Sequence, residues 1–277
     1  MVKRCTGEDE SRLLDFLQND AVYHTFLLAD IGNYGFDQEF QTVYAGLEED
    51  RITHVYLKFY GNLIVAGEAG NIDGEFLRTL TEEWKPDVIM GKAELTKAAG
   101  RWIPGYELAE KNLYLLEDSA HLIGEAGLPE GVTMKKGVPG DEDKIHAFLM
   151  TIPEIRALYA SKEMIADRLK SGDGTHLYLE RNGEMIAHVN SAAKSPFTVM
   201  LGGAAVKVTE RGKNLEALLV SRISRDILAE GKKPCLFCDR GEEHNLFVQI
   251  GFQKAGIWGT LTPKKPEEGK SRLPSYI

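Results

Sequence analysis

Apolar positions in the second half of the chain recur with two different periods. Their order predicts a strand, two helices, hairpin-linked strands, a helix, a strand, a short helix and a strand. The first strand is Val132 to Lys136. Gly140-Asp141 then opens a helix carrying Ile145, Phe148 and Leu149, and a second helix is expected from Pro153 through Leu158 toward Ile165 and Leu169. Three strands follow at Thr175–Glu180, Glu184–Ala192 and Phe197–Val206, and Asn182-Gly183 joins the first two as a tight hairpin. Leu215, Leu218, Leu219, Ile223 and Ile227 fall at helical spacing. A strand at Cys235–Asp239, a short helix near Glu242 to Gln249 and a strand ending at Leu261 complete the run. This is a mixed α/β order.

The first half repeats that order faintly. Helical patterns lie at Arg12–Leu17 and Leu27–Ile31, and strand-like runs at Thr42–Leu47, Ile52–Tyr60 and Leu63–Ala66. A helix at Phe76–Trp84 and strands at Val88–Met90 and Asn112–Leu116 come next. Between Leu116 and Val132 the pattern breaks into charge and turn chemistry, with Gly124, Gly127, Pro129 and Gly131. The expected division is a degenerate domain over 1–120, a second domain over 130–262 and a loosely ordered tail over 263–277.

Length and composition agree with two domains. The 277 residues are 43% hydrophobic and 27% charged, ordinary globular values for a chain longer than one small core usually needs. No apolar run is long enough to span a bilayer, and Met1 to Cys5 meets charge at once, so a cytoplasmic protein is expected. A net charge of −9 without a basic cluster argues against nucleic acid and mildly favours cationic substrates such as amines. Cys235 and Cys238 form a C-x-x-C, but on a strand they face opposite sides, and no second pair is present to complete a zinc site. No metal site is expected.

The sharpest local feature is Arg211-Gly212-Lys213-Asn214-Leu215-Glu216, between an apolar strand and an amphipathic helix. A glycine-containing turn that opens a helix exposes several backbone N–H groups, which suit a phosphate or pyrophosphate. Arg211 and Lys213 add cations. The plainer alternative is an ordinary helix entry capped by Asn214. Gly202 and Gly203 sit inside the preceding strand, where glycine often marks a bulge or a close approach, and a strand edge opened there could pair with an amide-bearing chain.

With Phe237, Asp239, Leu246, Phe247, Gly251 and Phe252 following, the segment Val132–Leu261 resembles the GCN5-related N-acetyltransferases. That family's R/Q-x-x-G-x-G/A loop binds the pyrophosphate of acetyl-CoA, and Arg211 takes its first position. Asn214 and Glu216 depart from its glycines, Arg240 stands where Asn is usual, and Phe247 where a thiolate-protonating Tyr is frequent. The resemblance implies an acyl-CoA N-acyltransferase fold in tandem, with a degenerate first copy that lacks the loop. It also implies acetyl-CoA or another acyl-CoA as co-substrate. Ala205, Val206, Val208, Arg211, Gly212, Lys213, Asn214, Leu215 and Glu216 are the expected contacts to it, and a small-molecule or peptide amine is the expected acceptor.

A general base is less plain, because Phe197–Val206 holds no carboxylate. His188 and Asn190 share a face of the preceding strand, so His188 could take the amine proton and Asn190 orient substrate, or His188 could be a satisfied sheet histidine. His244 and Cys238 are weaker acid candidates. The acidic runs Glu8–Glu10 and Glu48–Asp50 read as a solvated helix start and a hairpin turn. A monomer or homodimer, bound to neither membrane nor nucleic acid, completes the expectation. The alternative is a non-catalytic acyl-CoA-binding or regulatory module, and behind it a scaffold on a retired acetyltransferase fold.

Overall fold

The structure is a computed structural model that describes residues 1–124, 127–159, 162–241 and 246–264. In its first half, β1 (Val2–Arg4) leads to α1 (Glu10–Gln18), α2 (Thr25–Tyr34), β2 (Gln41–Glu48), β3 (Arg51–Phe59) and β4 (Asn62–Gly67). Then come α3 (Gly74–Trp84), β5 (Val88–Lys92), α4 (Ala93–Gly100) and β6 (Tyr106–Leu115). The second half holds β7 (Val132–Lys136), α5 (Glu142–Met150), α6 (Lys162–Ser171), β8 (His176–Arg181), β9 (Glu184–Lys194) and β10 (Thr198–Val206). It ends with α7 (Leu215–Ala229), β11 (Lys233–Asp239), α8 (Leu246–Gln249) and β12 (Gln253–Pro263).

Among the described residues, twelve strands form one sheet in the order β1-β2-β3-β4-β5-β12-β6-β11-β10-β9-β8-β7. Each half supplies five strands in sequence and then sends its last strand into the other half. β12 pairs antiparallel with β5, while β6 pairs antiparallel with β11, and the two crossing strands pair with each other at the centre. The turn-rich segment after Leu116 separates the halves along the chain, but in space they are laced together. Helix α2 tightens the seam: Thr25 Oγ1 lies 2.7 Å from Thr198 Oγ1, and Phe26, Phe237 and Trp258 pack as an aromatic cluster.

Side-chain alternation explains the two layers. Leu177, Leu179, Ile186 and Val189 meet α7 on one face, whereas Tyr178, Met185 and Ala205 meet α5 and α6 on the other. In the first half Val43, Val55 and Ile64 pack on α1 and α2, and Tyr56, Leu63 and Val65 on the side of α3 and α4. The Asn182-Gly183 turn has φ of 52° and 80°, the left-handed pair that a tight hairpin demands.

Three expectations are corrected. The single helix expected from Pro153 to Leu169 is a 3-10 turn, Arg156–Tyr159, followed by α6; the tighter turn carries Tyr159 inward to a buried partner. β6 begins at Tyr106 rather than Asn112, because β12 pairs with it from Tyr106 to Leu115 even though its polar start faces solvent. Asp9 is not solvated: its side chain accepts from the Thr6 N–H and pairs with Lys3 at 2.6 Å. The glycine-marked bulge is present, and Cys235 and Cys238 lie in different core clusters, on opposite faces as expected. The tail from 265 onward, His244 and the start of the helix near Glu242 lie outside the described residues.

Candidate functional site

β10 runs parallel to β11 only from Thr198 to Met200, opposite Lys233 to Cys235. From Leu201 onward it keeps β9 alone, so one edge opens. The opening begins three residues into the strand, just before the Gly202-Gly203 pair that marked it in the sequence. Beside the open edge is a cavity of about 380 Å³. Ala204, Ala205 and Val206 form one wall, Arg211 to Glu216 another, and Ile152, Glu154, Ile155 and Leu246 close the rest.

The wall is bulged. The β9–β10 register shifts between Gly202 and Ala205, and Gly203 sits at φ 55°, inside the left-handed region. A Cβ at Gly203 would stand 2.6 Å from Asn190 Oδ1 and 2.7 Å from the Tyr159 hydroxyl, so glycine is required on both counts. The Tyr159 hydroxyl donates to Asn190 Oδ1 at 2.8 Å. His188 Nδ1–H donates to the Gly203 carbonyl at 2.9 Å, since a carbonyl can only accept. His188 Nε2 therefore carries a lone pair and accepts from His176 Nδ1–H, also at 2.9 Å. Burial pushes the His188 pKa down to about 4, against a small opposing pull from the Gly203 carbonyl. Burial, and then His188 and Arg168 nearby, push His176 down to about 3. Both rings are neutral at pH 7.

His188 and Asn190 thus share a face as expected, but both are buried and committed to protein partners. His188 has no free lone pair to offer an ammonium, which corrects the general-base expectation. Tyr159 and His176 complete the network and were missed, Tyr159 because it fell inside an expected helix, His176 because a lone strand histidine carries no signal by itself.

Of the expected carrier contacts, Ala205, Val206, Arg211, Gly212, Lys213, Asn214, Leu215 and Glu216 all line the cavity. Val208 does not; it is 63% exposed in the 3-10 turn Val208–Glu210. Gly212 and Asn214 have φ of 80° and 57°, and the Asn214 side chain makes no capping bond. The cap is a left-handed backbone turn rather than a side chain. The first N–H groups of α7 lack intrahelical partners by helix geometry and carry the positive end of its dipole. The cations are not idle. Arg211 Nη2 meets Glu154 Oε1 at 3.0 Å, Lys213 Nζ meets Glu210 Oε2 at 3.0 Å, and Arg181 holds both Glu210 oxygens at 2.8 Å. Lys213 and then Arg181 keep the Glu210 carboxyl below its ordinary range.

Phe247 packs edge-on against Phe252 at 6.2 Å, and Cys238 is buried in the core. Among the described residues no group of three His, Cys, Asp or Glu side chains could hold a metal. No described helix is long and apolar enough to cross a membrane.

No family model and no curated protein matches the sequence. Solved structures do match it. A tandem GNAT protein from the clavulanic acid biosynthesis pathway superposes with a TM-score of 0.62 at 11% identity, over 96% of this chain and 99% of that one. A GCN5-related N-acetyltransferase-like protein from Streptococcus suis gives 0.60 at 11%, over 94% and 100%. A Drosophila protein gives 0.68 at 14%, over 95% and 99%. The chain has the tandem GNAT fold. In that fold the exchanged strands β6 and β12 make one sheet of two acyltransferase-like halves, and the open β10 edge lies in the second.

Proposed function

We propose that the chain is an acyl-CoA-dependent N-acyltransferase, acting on an amine, whose acyl carrier lies in the β10–β11 wedge. The observation that carries this is the bulged, half-unpaired β10 edge opening into a cavity whose other wall is the Arg211–Glu216 turn. The residues fit the group. Ile152, Ile155, Ala204 and Leu246 give an apolar lining for the pantetheine arm. The unpaired edge of β10 offers backbone N–H and C=O to its amides. The turn and the first N–H groups of α7 suit the phosphates, with Arg211 and Lys213 at hand.

A bound acyl-CoA supplies the activated carbonyl carbon and a thiolate leaving group. The chain's own share is largely positioning. The network of Tyr159, Asn190, His188 and His176 fixes the Gly203 bulge, which takes Gly203 and Ala204 out of the β9 ladder at the mouth of the wedge. Backbone groups set in that way suit a developing oxyanion. Because His188 is neutral and committed, the amine loses its proton to water rather than to that ring. With Phe247 at the frequent Tyr position, the departing thiolate also takes its proton from solvent. Slow transfer follows from both.

The same two features favour a second reading, a module that binds acyl-CoA without turning it over. Calorimetry with CoA and acetyl-CoA tests what the readings share, and absence of binding would sink both. A thiol-release assay over a panel of amines then separates them. In the enzyme reading Phe247→Tyr raises kcat at least several-fold by restoring a phenolic acid; a binding module gains nothing from it.

A further inference from the structure

Two buried histidines stand in line behind the Gly203 bulge. We propose that His176 is a positioning residue for acyl transfer: through His188 it polarises the Gly203–Ala204 peptide, whose N–H meets the oxyanion formed from the carrier thioester. This rests on the acyltransferase reading.

The direction of that peptide follows from its neighbours. Ala205 pairs with His188, and the Lys207 N–H donates to the Ile186 carbonyl at 2.9 Å, so both residues face β9. By alternation Ala204 turns its N–H toward the open edge, where it lines the cavity. The peptide is trans, so the Gly203 carbonyl points the opposite way, and there the His188 Nδ1–H meets it at 2.9 Å. One peptide thus has its carbonyl held by a ring and its N–H at the wedge. A hydrogen bond to the carbonyl draws electron density onto oxygen and makes the N–H a stronger donor. A second bond behind the ring adds to this, because hydrogen bonds in a chain polarise one another.

His176 supplies that second bond, and the shape of the bulge does not require it. Tyr159 and Asn190 already fill the space a Cβ at Gly203 would need. What His176 decides is a tautomer. The His188 proton can sit on either ring nitrogen, and only Nδ1–H suits a carbonyl. The His176 Nδ1–H, 2.9 Å from His188 Nε2, excludes the alternative. His176 is 1% exposed, and among the described residues nothing meets its own Nε2. An apolar side chain there would leave no nitrogen bare, so stability alone does not select histidine.

In the transfer itself the amine nitrogen bonds to the thioester carbon and the π pair moves to oxygen, opposite the Ala204 N–H. Collapse breaks the C–S bond. The amine proton goes to water and the thiolate takes one from solvent, so no proton travels along the histidines.

The test uses the full chain as wild type, His176→Leu and His176→Asn; asparagine keeps an N–H near the place of Nδ1. Heteronuclear NMR reads the His188 tautomer and the Ala204 amide, and thiol release from acetyl-CoA over a panel of primary amines reads the rate. Wild type is expected to carry the His188 proton on Nδ1. In His176→Leu the Ala204 amide resonance is expected to move and kcat to fall about tenfold, with the CoA dissociation constant within about twofold by calorimetry. In His176→Asn the resonance and most of kcat are expected to return. A His188 proton on Nε2 in wild type overturns the relay without any variant, even if His176→Leu does not fold. Equal loss of kcat in both variants, or a loss carried by CoA affinity, would make His176 a packing residue and nothing more. Unaltered kcat in His176→Leu overturns the proposal and leaves the acyltransferase reading intact. No thiol release by wild type with any amine sinks that reading, and this proposal with it.

Discussion

The β4–β5 and β10–β11 wedges take matching places in the two halves of one sheet, yet two local details set them apart. The β3–β4 ladder runs without a break from His54–Gly67 to Phe59–Asn62, whereas the β9–β10 ladder is bulged between Gly202 and Ala205. The turn after β4 holds Glu68 and Asp73 and no basic residue; the turn after β10 holds Arg211 and Lys213. The fold opens both wedges, since a parallel strand pair parts in each. What each wedge can bind is decided by a bulge and a few charges. A shared architecture therefore says where to look and not what is held there.

The sharpest way to break that contrast is to replace one glycine in each wedge. Gly203→Ala forces a Cβ against Asn190 and Tyr159 at a left-handed φ, and Gly67→Ala at φ 124° places one 2.6 Å from the Thr53 carbonyl. Each is expected to cost roughly 2–4 kcal/mol in denaturant unfolding. Only Gly203→Ala is expected to abolish CoA binding in calorimetry, because only that strand's bulge shapes the carrier cavity. Equal loss of CoA binding in both variants would mean the bulge has no special part.

Buried groups on and beside β9 are expected to give opposite pH slopes. His188 and His176 are held below their ordinary pKa by burial, so the unfolded chain binds more protons below about pH 6.5. Their neutral burial stabilises the fold above that pH, and the stabilisation is lost as pH falls toward about 4. Asp30, on α2 against β9 and β10, runs the other way. Burial raises its pKa to about 7, with a weaker opposing pull from Arg168. The folded state then holds the extra proton, and stability falls as pH rises through about 4 to 7, by on the order of 3 kcal/mol. Against wild type, Asp30→Asn should gain stability at pH 8, and His188→Gln should flatten the acid loss. Urea unfolding at pH 5, 6.5 and 8 checks both signs; parallel curves for all three proteins would refute the assignment.

These groups also mark what a linear reading of the chain could reach. The α7 periodicity, the Asn182-Gly183 hairpin and the Gly202-Gly203 bulge were legible because each is local: a helical stripe, a left-handed dipeptide, glycine inside a strand. Of the nine expected carrier contacts, the eight that line the cavity fall in two short runs, at 205–206 and 211–216. The exchange of β6 and β12 was not legible, since no local pattern says which half a last strand joins. Nor was the commitment of His188, which depends on His176 twelve residues away and on the Gly203 carbonyl of another strand. The pairing of Arg211 with Glu154 spans 57 residues and was equally hidden.

That pairing lowers what the loop cations are expected to contribute. Arg211 and Lys213 are both about half exposed and already neutralised by Glu154 and Glu210. Replacing both with Ala is expected to weaken CoA binding only about fivefold, roughly 1 kcal/mol. Arg51→Ala in the first wedge should leave CoA binding unchanged. A loss of a hundredfold or more from the double variant would mean the cations leave their carboxylates to grip the phosphates fully.

The smallest effect is the most discriminating. Glu154 is held ionised, first by its own backbone N–H and next by Arg211, so at pH 7 it competes with a phosphate for that guanidinium. Glu154→Gln removes the charge while keeping the shape. CoA affinity is then expected to rise about two- to threefold at low salt, the gain shrinking as salt screens the competition. Depyrophosphorylated pantetheine should bind wild type and variant alike, because it has no phosphate for Arg211 to meet. Glu68→Gln, the same change on the rim of the other wedge, should leave CoA unaffected. If Glu154→Gln instead weakens CoA binding, the ion pair is part of the bound geometry. Glu154 then holds Arg211 in place for the carrier, and the second wedge owes its selectivity to a fixed turn rather than to freed charge.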